Sequence, residues 1–454
     1  MKLFLLLSLV FCLPLFALAQ QKSRKLFPYD YNLDDLPNGL RLVTVPTDYP
    51  NLIALYIVVA TGSRNEVEPG KSGYAHLFEH LMFRGSKNFS AQARDEILKL
   101  AGADSNAYTT DDRTVYREVF SKEDLAKILE LEADRFQHLQ YEPDAYKTET
   151  RAVLGEYNKN SADPEEKLYE MLRATAYKRH TYSHTTMGFI EDIEDMPNQF
   201  DYSWEFYRRY YRPEYTTVVI AGDVKREQPV ALVSKFFGSW KRGNYIPDIP
   251  REPNQNEPLE ASVDWPSATL PLLYVAFRGP AYSDESKEHA ALDLLAPIAF
   301  GENSDLYQKL VLKEQKVESL DYTFASRMDP ELFFVSAKVK NEKDLGDVRQ
   351  QILETFQRFA KELTTQEKLD QTRSRLRYRF ALSLDSSEAI AAALAQYIAL
   401  RRTPETIDKL YSLYDQITPQ DIRDAASRYF VDNNRTIVML KAKPSNGDSQ
   451  EEQR

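Results

Sequence analysis

Hydrophobic residues along this chain of 454 residues fall into two kinds of segment. Short runs rich in Leu, Ile, Val and aromatic residues predict β-strands at residues 40–45, 53–59, 114–120 and 216–220. Longer stretches with apolar residues at helical spacing predict helices at residues 121–139 and 143–160, the second opened by a proline. Strands that pair with near neighbours, with helices grouped between them, favour an α+β fold over a wound parallel sheet.

The pattern occurs twice. Residues 55–59 (LYIVV) resemble residues 273–277 (LYVAF), an offset of 218. Residues 209–211 (RYY) resemble residues 428–430 (RYF), an offset of 219, and a β-branched run follows each triplet. Two matches at nearly one offset indicate a duplicated domain of about 220 residues. The alternative is that helix-then-strand patterns look alike by chance.

The first nineteen residues have the pattern of a secretory signal peptide. A basic residue, Lys2, precedes a leucine-rich run, and Ala17-Leu18-Ala19 provides small residues for cleavage. An uncleaved membrane anchor is the alternative, but the run is short for a bilayer and Pro14 interrupts it. Because the only cysteine, Cys12, lies here, the mature chain should lack disulfides. We expect an exported protein, periplasmic or extracellular, with no membrane span after cleavage.

The distribution of proline and polar residues predicts how the rest of the chain is divided into domains. We expect an N-terminal domain at residues 20–245, a proline-rich linker at 246–258, a C-terminal domain at 259–443 and a disordered polar tail at 444–454. A net charge of −11 argues against a nucleic-acid partner, because no basic face is available to neutralise phosphates. No Gly-rich phosphate loop is present, and no Ser or Cys stands out as a nucleophile.

The most specific motif is His76-Leu77-Phe78-Glu79-His80. On a helix, His76 and His80 lie one turn apart on the same face, and Glu79 lies beside them. Two imidazoles suit Zn²⁺, and Glu79 suits a general base acting on a zinc-bound water. The alternatives are polar residues on a solvated helix face or a structural cluster, but the flanking apolar residues favour a buried helix. A third ligand must come from elsewhere.

The helix predicted at residues 143–160 offers two candidates for that ligand. Glu149 and Glu156 are seven residues apart and therefore share a face, and their spacing alone does not choose between them. A solvated helix surface is the ordinary place for any one glutamate.

The inverted His-x-x-Glu-His order resembles the M16 (pitrilysin, insulin-degrading enzyme, mitochondrial processing peptidase) metallopeptidase family. The resemblance extends to residues 62–64 (GSR), 73–76 (GYAH), 83–85 (FRG), 105–109 (SNAYT) and 180–188. It implies that Glu156, 76 positions after His80, is the third zinc ligand and that Glu149 orients a ligand histidine or holds the charge balance of the site. It also implies two homologous domains, each an antiparallel sheet backed by helices, facing each other like a clam.

By the same resemblance, Asn106, Ala107 and Tyr108 should lie on an edge strand to which a peptide substrate adds as a further strand. For Asn106 the alternative is an ordinary turn residue.

One part of the family's machinery is missing. Members that act alone carry an arginine and, seven residues later, a tyrosine that contact the substrate and stabilise the oxyanion; Val311 and Glu318 occupy the aligned positions here. We therefore expect a zinc endopeptidase subunit whose M16-like partner supplies these donors in a heterodimer. The alternatives are a homodimer and a protein that tolerates the loss of the pair. The alternative function is a non-catalytic M16-like scaffold or chaperone subunit.

Overall fold

The computed structural model describes residues 25–443. The predicted signal peptide, residues 1–19, and the predicted tail, residues 444–454, lie outside this range. The first half forms a six-stranded sheet in the order β1-β2-β6-β3-β5-β4. Its strands are β1 Asn32–Asp35, β2 Arg41–Pro46, β3 Leu52–Val59, β4 Asp104–Thr109, β5 Thr114–Ser121 and β6 Thr216–Gly222.

Within residues 25–245, the first half also contains eight α-helices. They are α1 Tyr74–Leu81, α2 Ala91–Leu100, α3 Leu125–His138, α4 Pro143–Asn160, α5 Pro164–Ala176, α6 Ile190–Asp195, α7 Phe200–Tyr210 and α8 Glu227–Phe237. The predicted helix at 121–139 begins later than expected, because residues 122–124 form a 3₁₀ turn before α3. The helix predicted at 143–160 has the bounds of α4, with Pro143 in its first turn.

The second half repeats this topology. Its strands are β7 Leu259–Trp265, β8 Leu272–Arg278, β9 Val317–Phe324, β10 Leu332–Val339 and β11 Arg435–Ala442, in the order β7-β11-β8-β10-β9. Its α-helices are α9 Lys287–Phe300, α10 Asp305–Tyr307, α11 Leu345–Lys361, α12 Gln366–Leu382, α13 Ser387–Arg401, α14 Glu405–Gln416 and α15 Pro419–Tyr429. Taken strand by strand, the order of the second sheet is equivalent to the order β2-β6-β3-β5-β4 in the first sheet. The expected α+β fold with two similar halves is confirmed.

Each sheet contains one parallel pair among its antiparallel pairs. The last strand of each half inserts between two earlier strands, β6 between β2 and β3 and β11 between β7 and β8, and pairs antiparallel with β3 or β8. It therefore runs parallel to β2 or β7 on its other side. Strand β4 has β5 on one side only, so it forms an edge of the first sheet.

The halves interlock through two helices. Helix α5 of the first half packs on the second sheet, where Leu168 and Leu172 join one buried cluster with Leu272 and Leu440. Helix α13 of the second half packs on β3 and β6 of the first sheet. Each sheet is therefore covered on one face by a helix from the other half, and the two hydrophobic cores depend on each other.

The segment predicted as a linker, residues 246–258, contains neither helix nor strand. This segment is nevertheless hydrogen-bonded to the first half. The Glu252 carboxylate accepts hydrogen bonds from the backbone N–H groups of Lys178, Arg179 and His180 at 2.8–2.9 Å. Within residues 25–443, no helix has the length and apolar character needed to cross a bilayer.

Candidate metal centre

The helix that carries the histidine motif, α1, begins at a sharp turn. Its N-cap is Gly73, whose φ of 89° lies in the left-handed region favoured by glycine. Glu66, a buried carboxylate, accepts hydrogen bonds from the backbone N–H groups of Gly73 and Ala75, each at 2.7 Å. It thereby satisfies two of the free donors at the helix start and fixes the turn from which His76 projects.

Three side chains meet beside this turn. The Nε2 atom of His76 lies 3.5 Å from Glu156 Oε2, and the Nε2 atom of His80 lies 3.7 Å from the same oxygen. One ligand atom from each of the three residues lies within 4.8 Å of the others. Tetrahedral Zn²⁺, with bonds of about 2.0–2.2 Å, separates its ligand atoms by about 3.4 Å. The donor set and its spacing therefore fit a zinc ion with one position left open.

The two histidines differ in their surroundings. Burial and the neighbouring His80 lower the pKa of His76 to about 4, so its imidazole is neutral and can offer a lone pair to a metal at neutral pH. His80 Nδ1 lies 3.4 Å from Glu149 Oε2, and this hydrogen bond is the main cause of the raised pKa of His80. Because Nδ1 faces Glu149, Nε2 is the nitrogen that faces Glu156.

The two candidate glutamates of α4 occupy different places. Glu156 lies close to both histidines, and its side chain is 41% exposed. The Glu149 side chain is 3% exposed and, of the two histidines, contacts only His80, through Nδ1. Arg84 forms an ion pair with Glu149 and balances its buried charge. The geometry thus separates two residues that spacing alone left equivalent.

Glu79 lies in the same cavity as His76 and Glu156, which has a volume of about 460 Å³. The hydroxyl of Thr109, the last residue of β4, donates a hydrogen bond to Glu79 Oε2 at 2.8 Å. Burial raises the pKa of the Glu79 carboxyl above its usual range. A carboxylate with a raised pKa, adjacent to a metal position, is suited to accept and return a proton.

The three expected substrate-binding residues lie on β4 beside this cavity. Tyr108 lines the cavity, and Ala107 is largely buried. The Ala107 N–H donates a hydrogen bond to the side-chain oxygen of its neighbour, Asn106 Oδ1, at 2.8 Å. The Thr110 N–H donates to the Arg113 carbonyl at the β4–β5 turn, so by the alternation of an antiparallel pair the Ala107 N–H points away from β5, toward the open edge of the sheet.

Val311 and Glu318 are not among the residues that line the metal cavity. Val311 belongs to a π-helical segment, Gln308–Lys313, and Glu318 lies on β9 with its carboxylate 3.3 Å from Lys338 Nζ. The expected partner subunit remains a prediction.

Sequence reasoning missed several residues of the site. Glu66 has no signal of its own beyond its position near the histidine motif, and Arg84 and Thr109 appeared only within the 83–85 and 105–109 motifs, without a role. Arg327, which lines the cavity from the second half, is too far along the chain for any local pattern to connect it with His76.

Two family models match this chain. The model described as Insulinase (Peptidase family M16) matches residues 42–189, and the model described as Peptidase M16 inactive domain matches residues 200–376. The first range contains the three candidate ligands and Glu79. The second contains none of them and includes most of the second half.

Individual relatives match nearly the full length. Zinc protease PqqE of Helicobacter pylori is 30% identical over 412 residues, which cover 89% of this chain and 91% of that protein. A probable mitochondrial-processing peptidase subunit beta of Schizosaccharomyces pombe is 26% identical, covering 88% and 89%. Among solved structures, a protease from Helicobacter pylori has a TM-score of 0.84 at 29% identity, with 91% of this chain and 100% of that chain covered.

A more distant structure, the first half of the periplasmic protease PqqL from Escherichia coli, shares the fold. Its TM-score is 0.73 at 19% identity, with 91% of this chain and 92% of that chain covered.

Proposed function

Because this chain belongs to the M16 peptidase family, we propose that it is a zinc-dependent metalloendopeptidase that cleaves unfolded or extended peptides. The observation that carries the proposal is the convergence of His76, His80 and Glu156, with the Glu79 carboxylate in the same cavity. The names of its relatives, zinc protease and mitochondrial-processing peptidase, support the same class of reaction.

Zinc held by these ligands would lower the pKa of a water molecule and polarise the carbonyl of the scissile peptide bond. Glu79 accepts the proton that the attacking water loses and delivers it to the leaving amine. Thr109 holds the Glu79 carboxylate in place through its hydroxyl. Glu149 fixes the ring of His80 through Nδ1, with its own charge balanced by Arg84.

The substrate adds to the edge of β4. Main-chain hydrogen bonds to a free edge are available to any extended peptide, so the enzyme should tolerate many sequences but exclude folded proteins. The Ala107 N–H, which points to the open side of the strand, would exchange its Asn106 side-chain acceptor for a carbonyl of the added strand. Asn106 and Tyr108 flank it, and Tyr108 also borders the cavity.

The enzyme acts in an exported, two-component assembly. The leucine-rich start of the chain supports export to the periplasm or beyond the cell. The absence of an Arg/Tyr pair at Val311 and Glu318 supports a related subunit that brings these donors, with a second copy of this chain as the alternative.

The alternative function, a non-catalytic scaffold or chaperone subunit, has one observation in its favour. Residues 200–376 match a model described as an inactive domain. Because this range contains none of the four residues of the proposed metal centre, the match describes the half that carries no zinc motif. A scaffold would bind zinc without turning over any peptide.

The substitution Glu79→Gln tests the proposal. We expect the variant to retain one zinc per chain by elemental analysis and to lose cleavage of quenched fluorescent peptides, because only the proton acceptor is removed. The surface substitution Glu96→Gln should leave both properties unchanged. Wild-type protein that holds zinc but cleaves no peptide, even after recovery with its native partners, would support the scaffold instead.

A further inference from the structure

A loop of the second half is docked into the first half beside the metal cavity. It comprises residues 325–331, between β9 and β10. The backbone N–H of Met328 donates to Asp112 Oδ2 at 2.9 Å, and Asp329 binds both Arg64 and His180. The carbonyl of Pro330 accepts a hydrogen bond from the hydroxyl of Tyr177 at 3.0 Å.

Arg327 on this loop is the one cavity-lining residue that comes from the second half. Its Nη2 atom lies 2.7 Å from Asp111 Oδ2, and its Nε atom lies 3.7 Å from Glu331 Oε2. The side chain is 18% exposed. Within residues 25–443 its Nη1 atom makes no hydrogen bond. The guanidinium is therefore paired with Asp111 through Nη2, while Nη1 remains available to donate to a ligand.

Arg173, the second arginine of the cavity, already donates a hydrogen bond from each of its three side-chain nitrogens. Its Nε donates to the carbonyl of His184, its Nη1 to the hydroxyl of Tyr169 and its Nη2 to Asp111, and the side chain is 1% exposed. Of the two cavity arginines, Arg327 is therefore the one placed to contact a ligand.

The surrounding charges identify the kind of group that Arg327 would bind. Asp111 and Glu331 already face the guanidinium, so an additional carboxylate would be poorly balanced. A neutral acceptor needs no such balance. A peptide along the edge of β4 brings main-chain carbonyl oxygens to the cavity at every second residue.

We propose that Arg327 Nη1 donates a hydrogen bond to a main-chain carbonyl oxygen of the bound peptide, so that the second half contributes a substrate-binding residue to the metal cavity of the first. This rests on the proposed peptidase function. It is distinct from the expected Arg/Tyr pair, whose aligned positions, Val311 and Glu318, do not line the cavity. The contact is made within one chain and requires no partner.

Peptide binding separates this role from a purely structural one. In zinc-loaded Glu79→Gln protein, which should bind without cleaving, the affinity for a fluorescein-labelled peptide is measured by anisotropy, using a sequence that the wild type cleaves. Adding Arg327→Ala should weaken Kd by about tenfold to a hundredfold, as expected for a hydrogen bond to a charged donor. Adding Arg327→Lys should weaken it comparably, because the ammonium keeps the pairing with Asp111 but loses the forked donor.

The matched control is Arg64→Ala, which removes another ion pair that docks the same loop but does not line the cavity. It should lower the unfolding temperature while leaving Kd within about twofold and zinc content unchanged. Unchanged Kd in both Arg327 variants, or equal weakening by Arg64→Ala, would overturn the substrate contact. Wild-type protein without turnover, even after recovery with its native partners, would instead overturn the peptidase function, so the two failures are distinguishable.

Discussion

Glu149 Oε2 lies 3.4 Å from His80 Nδ1, on the side of the imidazole opposite Glu156. This contact orients the ring so that Nε2 faces the proposed metal position. We expect Glu149→Gln to weaken zinc affinity by about tenfold to a hundredfold, the usual effect of losing such a partner. Competition with a zinc chelator measures it. Glu130→Gln, which alters a surface ion pair with Lys127, is the control and should bind zinc like the wild type.

Glu66 should be needed for the start of α1. Glu66→Ala leaves the backbone N–H groups of Gly73 and Ala75 buried without acceptors, at a cost on the order of 2–5 kcal/mol in the free energy of unfolding. Glu66→Gln retains one acceptor oxygen, so its free energy of unfolding should fall less than that of Glu66→Ala. Urea denaturation measures both variants, and equal stability of the alanine variant and the wild type would contradict this account.

Gly73 and Gly70 form a matched pair. Both have positive φ, but a Cβ at Gly73 would lie 2.6 Å from the carbonyl oxygen of Met187, whereas a Cβ at Gly70 would meet nothing within 4 Å. Gly70→Ala should cost only the left-handed strain, about 1 kcal/mol. Gly73→Ala should cost several times more and reduce zinc content, since α1 must shift. Similar unfolding free energies for the two variants would show that the close approach is unimportant.

The interlocked helices predict that neither half folds alone. Residues 20–245 produced separately would expose the apolar face of α5, and residues 246–443 would expose that of α13. We expect each fragment to aggregate when expressed singly and the pair to form a soluble complex when co-expressed. Size-exclusion chromatography and circular dichroism test this, and a soluble, cooperatively folded single fragment would contradict it.

Asp293 should make stability depend on pH. Burial raises its pKa to about 6, although the Tyr414 hydroxyl donates a hydrogen bond to it. The folded chain therefore holds this proton more tightly than the unfolded chain, so this carboxyl lowers stability as pH rises from about 4 to 6, and the loss persists above that range.

Asp293→Asn removes this titration and keeps an acceptor for Tyr414. Relative to the wild type it should gain about 1–3 kcal/mol in unfolding free energy at pH 7.5 and little at pH 4. Denaturation curves at the two pH values provide the comparison. If Asp293→Asn changed the unfolding free energy equally at pH 7.5 and pH 4, the change would come from packing and not from the titration of Asp293.

Much of the fold could be predicted because its signals are local. The strand predicted at 53–59 became β3, whose side chains are buried from Ile53 to Val59, and the proline-opened helix became α4. The duplication was visible because equivalent strands repeat at a nearly constant offset, and the predicted family is confirmed by the comparisons. The packing of α5 on the second sheet and of α13 on the first could not be predicted in this way, because an apolar helix face does not specify which sheet it covers.

The sequence by itself determined the chemistry that is available: two imidazoles and a carboxylate on one helical turn, and two further carboxylates on one face of a later helix. Helical periodicity is a local property, so it fixes which side chains share a face. Only the tertiary structure decided that Glu156 meets both histidines, that Glu149 supports one of them, and that Arg327 borders the same cavity. These relationships depend on how separate elements pack, which local periodicity does not specify.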